Sequence, residues 1–492
     1  LVADGYLRRE GIIGPENHAL ALLGASGAML MATANDFIII FLGLEIMSIP
    51  LYILAALDQR RAESSEAGLK YFILGAFSSA IFVYGIALTY GATGSTNLAQ
   101  IAAYLEQNIV TNQGLLLAGA GLLLVGFFFK IAAVPFHMWT PDVYQGAPTP
   151  ATGFMAAIAK VGGFAALLRV FFSTFHSLVA TWQPILFVVA ILTLVLGAVL
   201  GLVQRDIKRM LAYSSINHAG FILLGLEAAS STGISASVYY VFVYAFLVLG
   251  SFAVIGIIGR KGDRDHSIDS YRALGRREPV LALALAVLLL AQAGAPFTTG
   301  FLGKLYVVEA AVRAHSYALA VIAMLTGAIA AGFYLRVVFL MYGTGGAGAP
   351  DTAGEPASHA AGEPALLTGG RLPTTEPELA MVAAGDPGVG GDPGAAVPGG
   401  GLSGSGSVVL GGSEDLPVAG GGVGSGVLGE AGASGEAGAS GGSGEAAGQR
   451  AGRFDVEPAT ALGIFITVAF TVVLGVWPAP LFAFAHAASL LF

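Results

Sequence analysis

Residues 126–150 read GFFFKIAAVPFHMWTPDVYQGAPTP. An apolar run leads into Lys130, a proline follows at Pro135, and a polar turn closes the stretch at Trp139-Thr140-Pro141-Asp142. A helix that crosses a hydrocarbon core needs about 20 mostly apolar residues. The stretch from Gly114 to Thr140 supplies them. Proline removes a backbone donor and clashes with the preceding turn, so this helix is expected to break near Pro135, with a lysine beside the break. A second stretch, Pro279 to Ala310, has the same make-up: Ala295-Pro296-Phe297 interrupts it and Lys304 follows. Interrupted spans at corresponding places in two halves of a chain point to an ion site in an inverted-repeat transporter. An ordinary proline kink is the alternative. Segment 458–490 illustrates it, with Pro478 and Pro480 but no lysine or carboxylate near them.

The remaining chain reads the same way. Of 492 residues, 55% are hydrophobic and 11% charged, with a mean hydropathy of +0.76. A soluble domain carries about 25% charged residues, so this is a polytopic membrane protein. The apolar bulk and the net charge of −8 exclude a nucleic-acid binder. The absence of cysteine excludes disulfides, Cys-ligated zinc, iron–sulfur clusters and thiol catalysis. The sequence contains neither a P-loop nor a dinucleotide fingerprint after a strand, so energy is expected from a partner or from another ion gradient.

Eleven stretches are long and apolar enough to span: 18–35, 37–57, 68–92, 114–140, 150–172, 183–203, 208–226, 233–259, 279–310, 317–342 and 458–490. The expected fold is all-α and integral to the membrane, with about eleven transmembrane helices, two of them broken and set in inverted repeats. Three parts follow: an antiporter-like transmembrane domain over 1–342, a Gly/Ala/Ser-rich linker over 343–456, and a C-terminal helix over 457–492. Within 343–453 there are 12 Asp and Glu against 3 Arg and no apolar periodicity, so the segment is expected to be a disordered, solvated spacer.

Lys and Arg in the loops set orientation. With residues 1–17 cytoplasmic, the inner loops carry thirteen such residues, among them Arg60, Arg61, Arg205, Lys208, Arg209, Arg276 and Arg277. The outer connections carry only Arg313. The linker is therefore expected in the cytoplasm and the C-terminus on the outer side.

Ionisable residues at membrane depth are costly, by at least about 2.5 kcal/mol, and mark functional sites by default. Glu45, Lys130, Lys160 and Lys304 stand out by position. A structural ion pair or a snorkelling side chain is the alternative for any one of them taken alone. His218, in AYSSINHAGFILLG, is either a packing residue or a relay. His137 follows the first break. Asp142 reads as a cap or brace of its turn, and Glu66 with Lys70 as an ion pair four residues apart on a helix. Arg169 and Arg336 lie toward span ends and can snorkel.

These stretches, with LGLEIMSIPLYIL, EAGLKYFILGAFSSAIFVYGIALTYG, KRMLAYSSINHAGFILL and GAPFTTGFLGKLYV, resemble the antiporter-like membrane subunits of respiratory complex I, the proton-pumping NADH–quinone oxidoreductase. WTPDVYQGAP points to the subunit N, or subunit 2, group. The resemblance covers about 17–342 and 457–492. It implies that Glu45 is the family's fifth-helix glutamate, Lys130 its seventh-helix lysine, Lys160 the eighth-helix lysine and Lys304 the terminal twelfth-helix lysine. His218 takes the place of a bridging histidine, and Lys70 that of a sixth-helix lysine. It further implies a multi-pass protein of the cell inner (plasma) membrane whose partners are other membrane subunits of the complex, the bilayer and protons. NADH, FMN, iron–sulfur clusters and quinone are expected in those partner subunits, and no cofactor in this chain. The family has fourteen spans and a short final connection, so the chain is expected to lack the first three helices and to carry the linker as an insertion. The implied mechanism is electrostatic: a shift of Glu45 relative to Lys130 changes how firmly that lysine holds its proton, which passes to Lys160 and, near His218, to Lys304. A subunit of a multisubunit cation/proton antiporter is the competing reading, and a structural membrane scaffold a third, against which the intramembrane lysines speak.

Overall fold

The computed structural model describes residues 3–108, 112–259, 262–263, 265–343, 454 and 456–489. The linker expected over 343–456 lies almost entirely outside the described residues, and so do Arg260, Lys261 and Arg264. The described chain is helical. It opens with α1 (Asp4–Glu10), α2 (Pro15–Thr33), α3 (Phe37–Ala55), α4 (Ala62–Thr93), α5 (Leu98–Gln107) and α6 (Gln113–Ile131). It continues with α7 (Trp139–Gly146), α8 (Thr149–Leu168), α9 (Val179–Leu202), α10 (Ile207–Glu227), α11 (Ser231–Ile258) and α12 (Leu274–Arg277). Then come α13 (Pro279–Ala293), α14 (Thr299–Arg313), α15 (Tyr317–Tyr342), α16 (Pro458–Val476) and α17 (Ala479–Ser489).

By length and composition, 8 of the described helices can cross a membrane: α3, α4, α6, α8 with the π-helical turn after it, α9, α11, α15 and α16. The expected spans 18–35 and 208–226 are present as α2 and α10 but fall outside that set. The two spans expected to break do so, 114–140 into α6 and α7, and 279–310 into α13 and α14. The last span also divides, between α16 and α17 at Trp477-Pro478, where a kink was expected.

A repeat organises these helices. Helix α2 packs on α3 and α8, and α9 packs on α10 and α15 in the same way. Helix α6 meets α4 and α8, and α13 meets α11 and α15. Antiparallel backbone bridges join Asp36 to Asn97 and Asp206 to Ser267, so the second bridge lies 170 positions after the first at both ends. Each Asp caps the helix that follows it, Asp36 on the Ile38 amide and Asp206 on the Arg209 amide, both at 2.8 Å. A Cβ on Gly27 would lie 2.3 Å from the Met47 amide nitrogen, and one on Gly197 would lie 2.6 Å from that of Asn217. Both members of this second pair are again displaced by 170 positions. Close helix approach thus needs glycine at both places. One copy runs from α2 to α8 and the other from α9 to α15. The paired breaks and matching contacts agree with the inverted repeats expected of the two halves.

Helix α10 sits at the centre. Every residue from Ile207 to Glu227 except Arg209 is buried. It can therefore carry polar side chains that a lipid-facing helix cannot, provided that they find partners.

Candidate functional site

The two breaks release backbone groups that must be satisfied inside the protein. Helix α6 ends at Ile131, and Ala132 takes φ +59°, in the left-handed region. The Phe129 carbonyl accepts from the Ala132 amide and from the Trp139 indole, each at 3.1 Å. The Val134 amide donates to Thr193 Oγ1 at 3.0 Å. The last carbonyl of α6, that of Ile131, accepts from Lys160 Nζ at 2.8 Å. In the second break the last carbonyl of α13, that of Ala293, accepts from Lys304 Nζ at 2.8 Å. Each half-helix thus ends on an ammonium group, which complements the negative end of its dipole.

Lys160 of α8, rather than Lys130, caps the first break, as Lys304 of α14 caps the second. Lys130 is the penultimate residue of α6, and its counterpart in α13 is Gln292. Lys130 is 2% exposed. Its Nζ donates to Ser48 Oγ at 2.7 Å and lies 5.7 Å from the Tyr71 ring centre and 6.0 Å from that of Tyr52. Glu45 is half-buried, one turn before Ser48 on α3, and its carboxylate accepts from Ser79. Among the described residues no ion pair joins Glu45 to a lysine; the hydroxyl of Ser48 occupies the ammonium instead.

The interior is continuous from Lys160 onward. Lys160 Nζ lies 5.8 Å from the centre of the Tyr244 ring, which lies 5.2 Å from the His218 ring. His218 uses both ring nitrogens, Nδ1 with Tyr240 Oη at 2.8 Å and Nε2 with Tyr334 Oη at 3.1 Å. Tyr240 stacks on Phe221, and Lys304 Nζ lies 5.0 Å from the centre of the Phe221 ring. A branch runs from Tyr334 through Ser214 and Gln292 to Ser251. Tyr244 donates to Ser215 at 2.8 Å. The structure therefore lines up Lys160, His218 and Lys304 in one buried row, and Lys130 adjoins it through the neighbouring Ile131, whose carbonyl Lys160 caps, with Glu45 at the margin.

Lys70 lies elsewhere. It is 43% exposed and pairs with Glu66 at 2.7 Å and Asp142 at 3.2 Å. Asp142 also pairs with Arg209 at 2.7 Å, so it braces α7 against α4 and α10 rather than capping its own turn. Glu66, Lys70 and Asp142 line a cavity of about 790 Å³ together with Arg61, Asp263 and His266. His137 is half-buried in the first break. Arg169 donates to the Ala32 carbonyl, and Arg336 to those of Leu202 and Gln204.

Sequence reasoning missed the tyrosines, the serines and Gln292. Tyr240 and Tyr244 sit one turn apart on α11, with Ser251 two turns further on, and that spacing is the signal that could have found them. It also missed Asp263, which has no exposure and lies within ion-pair distance of Arg61, Lys208 and His266. Burial alone would raise this carboxyl, but Lys208, His266 and Thr149 outweigh it and hold it well below the usual carboxylate range.

Known proteins share this architecture. Residues 34–330 match the family model described as NADH:quinone oxidoreductase/Mrp antiporter, transmembrane. The NADH-quinone oxidoreductase subunit N of Trichlorobacter lovleyi is 47% identical over 342 residues, 70% of this chain and 70% of that one. The subunit N of a Parafrankia species is 48% identical over 329 residues, 66% of this chain, and the match spans 62% of that relative. A chain of respiratory complex I from Thermus thermophilus superposes with a TM-score of 0.59 at 38% identity, covering 70% of this chain and 75% of that one. A chain of the Mrp complex of a Dietzia species shares the fold, with a TM-score of 0.60 at 24% identity over 66% of this chain and 59% of that one.

Proposed function

Since this chain belongs to the NADH:quinone oxidoreductase/Mrp antiporter transmembrane family, we propose that it is a membrane-arm subunit of an NADH–quinone oxidoreductase and conducts protons along the buried row. The observation that carries this reading is the row itself: three lysines and a histidine, each at most 9% exposed, connected through tyrosine hydroxyls, backbone carbonyls and aromatic rings. Partner subunits hold NADH, flavin, iron–sulfur clusters and quinone and supply the energy. This chain holds and moves protons at Lys130 Nζ, Lys160 Nζ, His218 and Lys304 Nζ. Glu45 acts on Lys130 across Ser48, so its displacement changes the field at that ammonium without breaking a direct pair. One pKa unit corresponds to about 1.4 kcal/mol, and a single charge moved in a dry interior supplies that much. Lys70 belongs to the ion-pair network at the rim of the cavity and tunes its field. The family also includes cation/proton antiporter subunits; the names of the relatives at 47% and 48% identity favour the oxidoreductase.

The test is substitution in the intact complex. Lys130→Ala and Lys304→Ala each lower NADH-driven quinone reduction and proton translocation together, by about ten-fold or more, with the subunit present at wild-type level by immunoblot. Lys130→Arg fails as well, because arginine does not release its proton. Glu45→Gln is impaired and Glu45→Asp less so, while Arg169→Ala, at a span end, is the milder control. Normal pumping in both Lys→Ala variants would show that the row is structural.

A further inference from the structure

Glu227 is the last residue of α10 and is 4% exposed. One carboxylate oxygen accepts from Ser316 Oγ at 2.9 Å; the other is buried and has no hydrogen-bond partner among the described residues. Among the described residues Glu227 forms no ion pair. An acidic side chain at a helix C-terminus opposes the helix dipole, and a buried carboxylate without a counter-charge is costly. Local stability therefore gives no reason for a glutamate here, and a residue that breaks local rules is expected where function requires it.

Its position supplies that function. Phe221, whose ring faces Lys304 Nζ at 5.0 Å, lies on the same helix, and the six residue steps from Phe221 to Glu227 rise about 9 Å. Helix α14 runs beside this part of α10: a Cβ on Gly225 would lie 3.1 Å from the Val307 side chain. Lys304 and Val307 are one turn apart on α14, so the seam between the two helices leads from Lys304 to Glu227. Beyond Glu227 the chain reaches exposed Ser231 and Thr232, and its partner Ser316 is half-exposed.

We propose that Glu227 carries protons from Lys304 to the outer face; this rests on the proton-conducting reading given above. The Lys304 ammonium gives up a proton through intervening water, and the Glu227 carboxylate takes one up and becomes the neutral acid. The acid then releases that proton to outer water and returns to the carboxylate, so protons and charge balance at each step.

The test uses the intact complex in sealed membranes, with rates taken per assembled complex and Lys304→Ala measured alongside. Glu227→Gln, which keeps the hydrogen bond to Ser316, lowers proton translocation and quinone reduction by about ten-fold or more. Glu227→Asp keeps most of the activity, and added formate, a small diffusible acid, restores Glu227→Ala. Wild-type rates in Glu227→Gln overturn the proposal. So does equal impairment of the Asp and Gln variants without a formate response, and so does failure of Glu227→Gln to assemble, since each assigns Glu227 a bracing role. Wild-type rates in Lys304→Ala overturn the underlying reading instead.

Discussion

Asp263 accepts from Tyr6 at 2.9 Å, from Arg61 at 3.1 Å and from the Thr149 hydroxyl and amide, and it lies 3.5 Å from Lys208 Nζ. One carboxylate thus ties together α1, the start of α4, the start of α8 and the start of α10. Removing its charge takes from Lys208, itself fully buried, its ion-pair partner, and breaking a buried pair from one side costs about 3–5 kcal/mol. Asp263→Asn is therefore expected to lower the thermal stability of the complex strongly at neutral pH. The folded-state value of this carboxyl is depressed, so its contribution is fully present above the unfolded value of about 3.9 and is lost only as pH falls through the lower folded value. Unfolding scans of both proteins should show a constant gap from pH 8 to about 5, narrowing only below about 4; a gap that already closes above about pH 5 would refute this assignment. Nothing in the sequence singled out Asp263, because it stands in the charged loop GRKGDRDHS, where any acid reads as solvated. The lysines of the row were legible for the opposite reason: each is a lone charge in an apolar run. Their partners were not legible, because Lys160 and Lys304 bind backbone carbonyls, which carry no sequence signature.

At the level of the helices, the prolines announce both breaks but not what covers them. The second break holds Phe297 at φ +63°, a strained conformation for a bulky residue. Helix α16 packs on it: a Cβ on Gly475 would lie 2.4 Å from the Phe297 carbonyl oxygen and 2.6 Å from the Thr298 Cα. Both are backbone atoms, so they cannot swing aside. Gly475→Ala should push α16 off the break and cost about 1–3 kcal/mol, whereas Gly121→Ala, where a Cβ meets nothing within 4 Å, should be neutral. The chain has no cysteine, so a thiol pair introduced across α14 and α16 reports on this contact without background; unchanged cross-linking and melting in Gly475→Ala would refute the tight seat. Helix α16 was legible as a span, but its role as the cover of a break depends on a glycine that looks ordinary in VVLGVW.

The whole molecule is built twice, and the copies share a frame more than a chemistry. The bridges at Asp36 and Asp206 and the glycines at 27 and 197 repeat at one spacing. His218 stands where the first copy has Ser48, and Gln292 where it has Lys130. Inverted repeats were expected from the two prolines, but the equivalence was hidden because backbone contacts were kept while the polar residues diverged. The inverted frame bears on sidedness, which we propose from the thirteen inner Lys and Arg against Arg313. A tag placed within 350–450 should be reachable only from the cytoplasm and one after Phe492 only from outside, so labelling of the first tag in intact cells would refute this topology. Lys160 and His218 both sit near the middle of their helices, and Lys130 and Lys304 flank the two breaks, from which we propose that the row runs along the membrane plane rather than across it. A membrane voltage does work only on charge moved through its thickness, about 2.3 kcal/mol per elementary charge per 100 mV. On the proton-conducting reading proposed above, charge passed along the row would do almost none of that work, and the whole electrical load would fall on the steps by which protons reach Lys130 and leave Lys304.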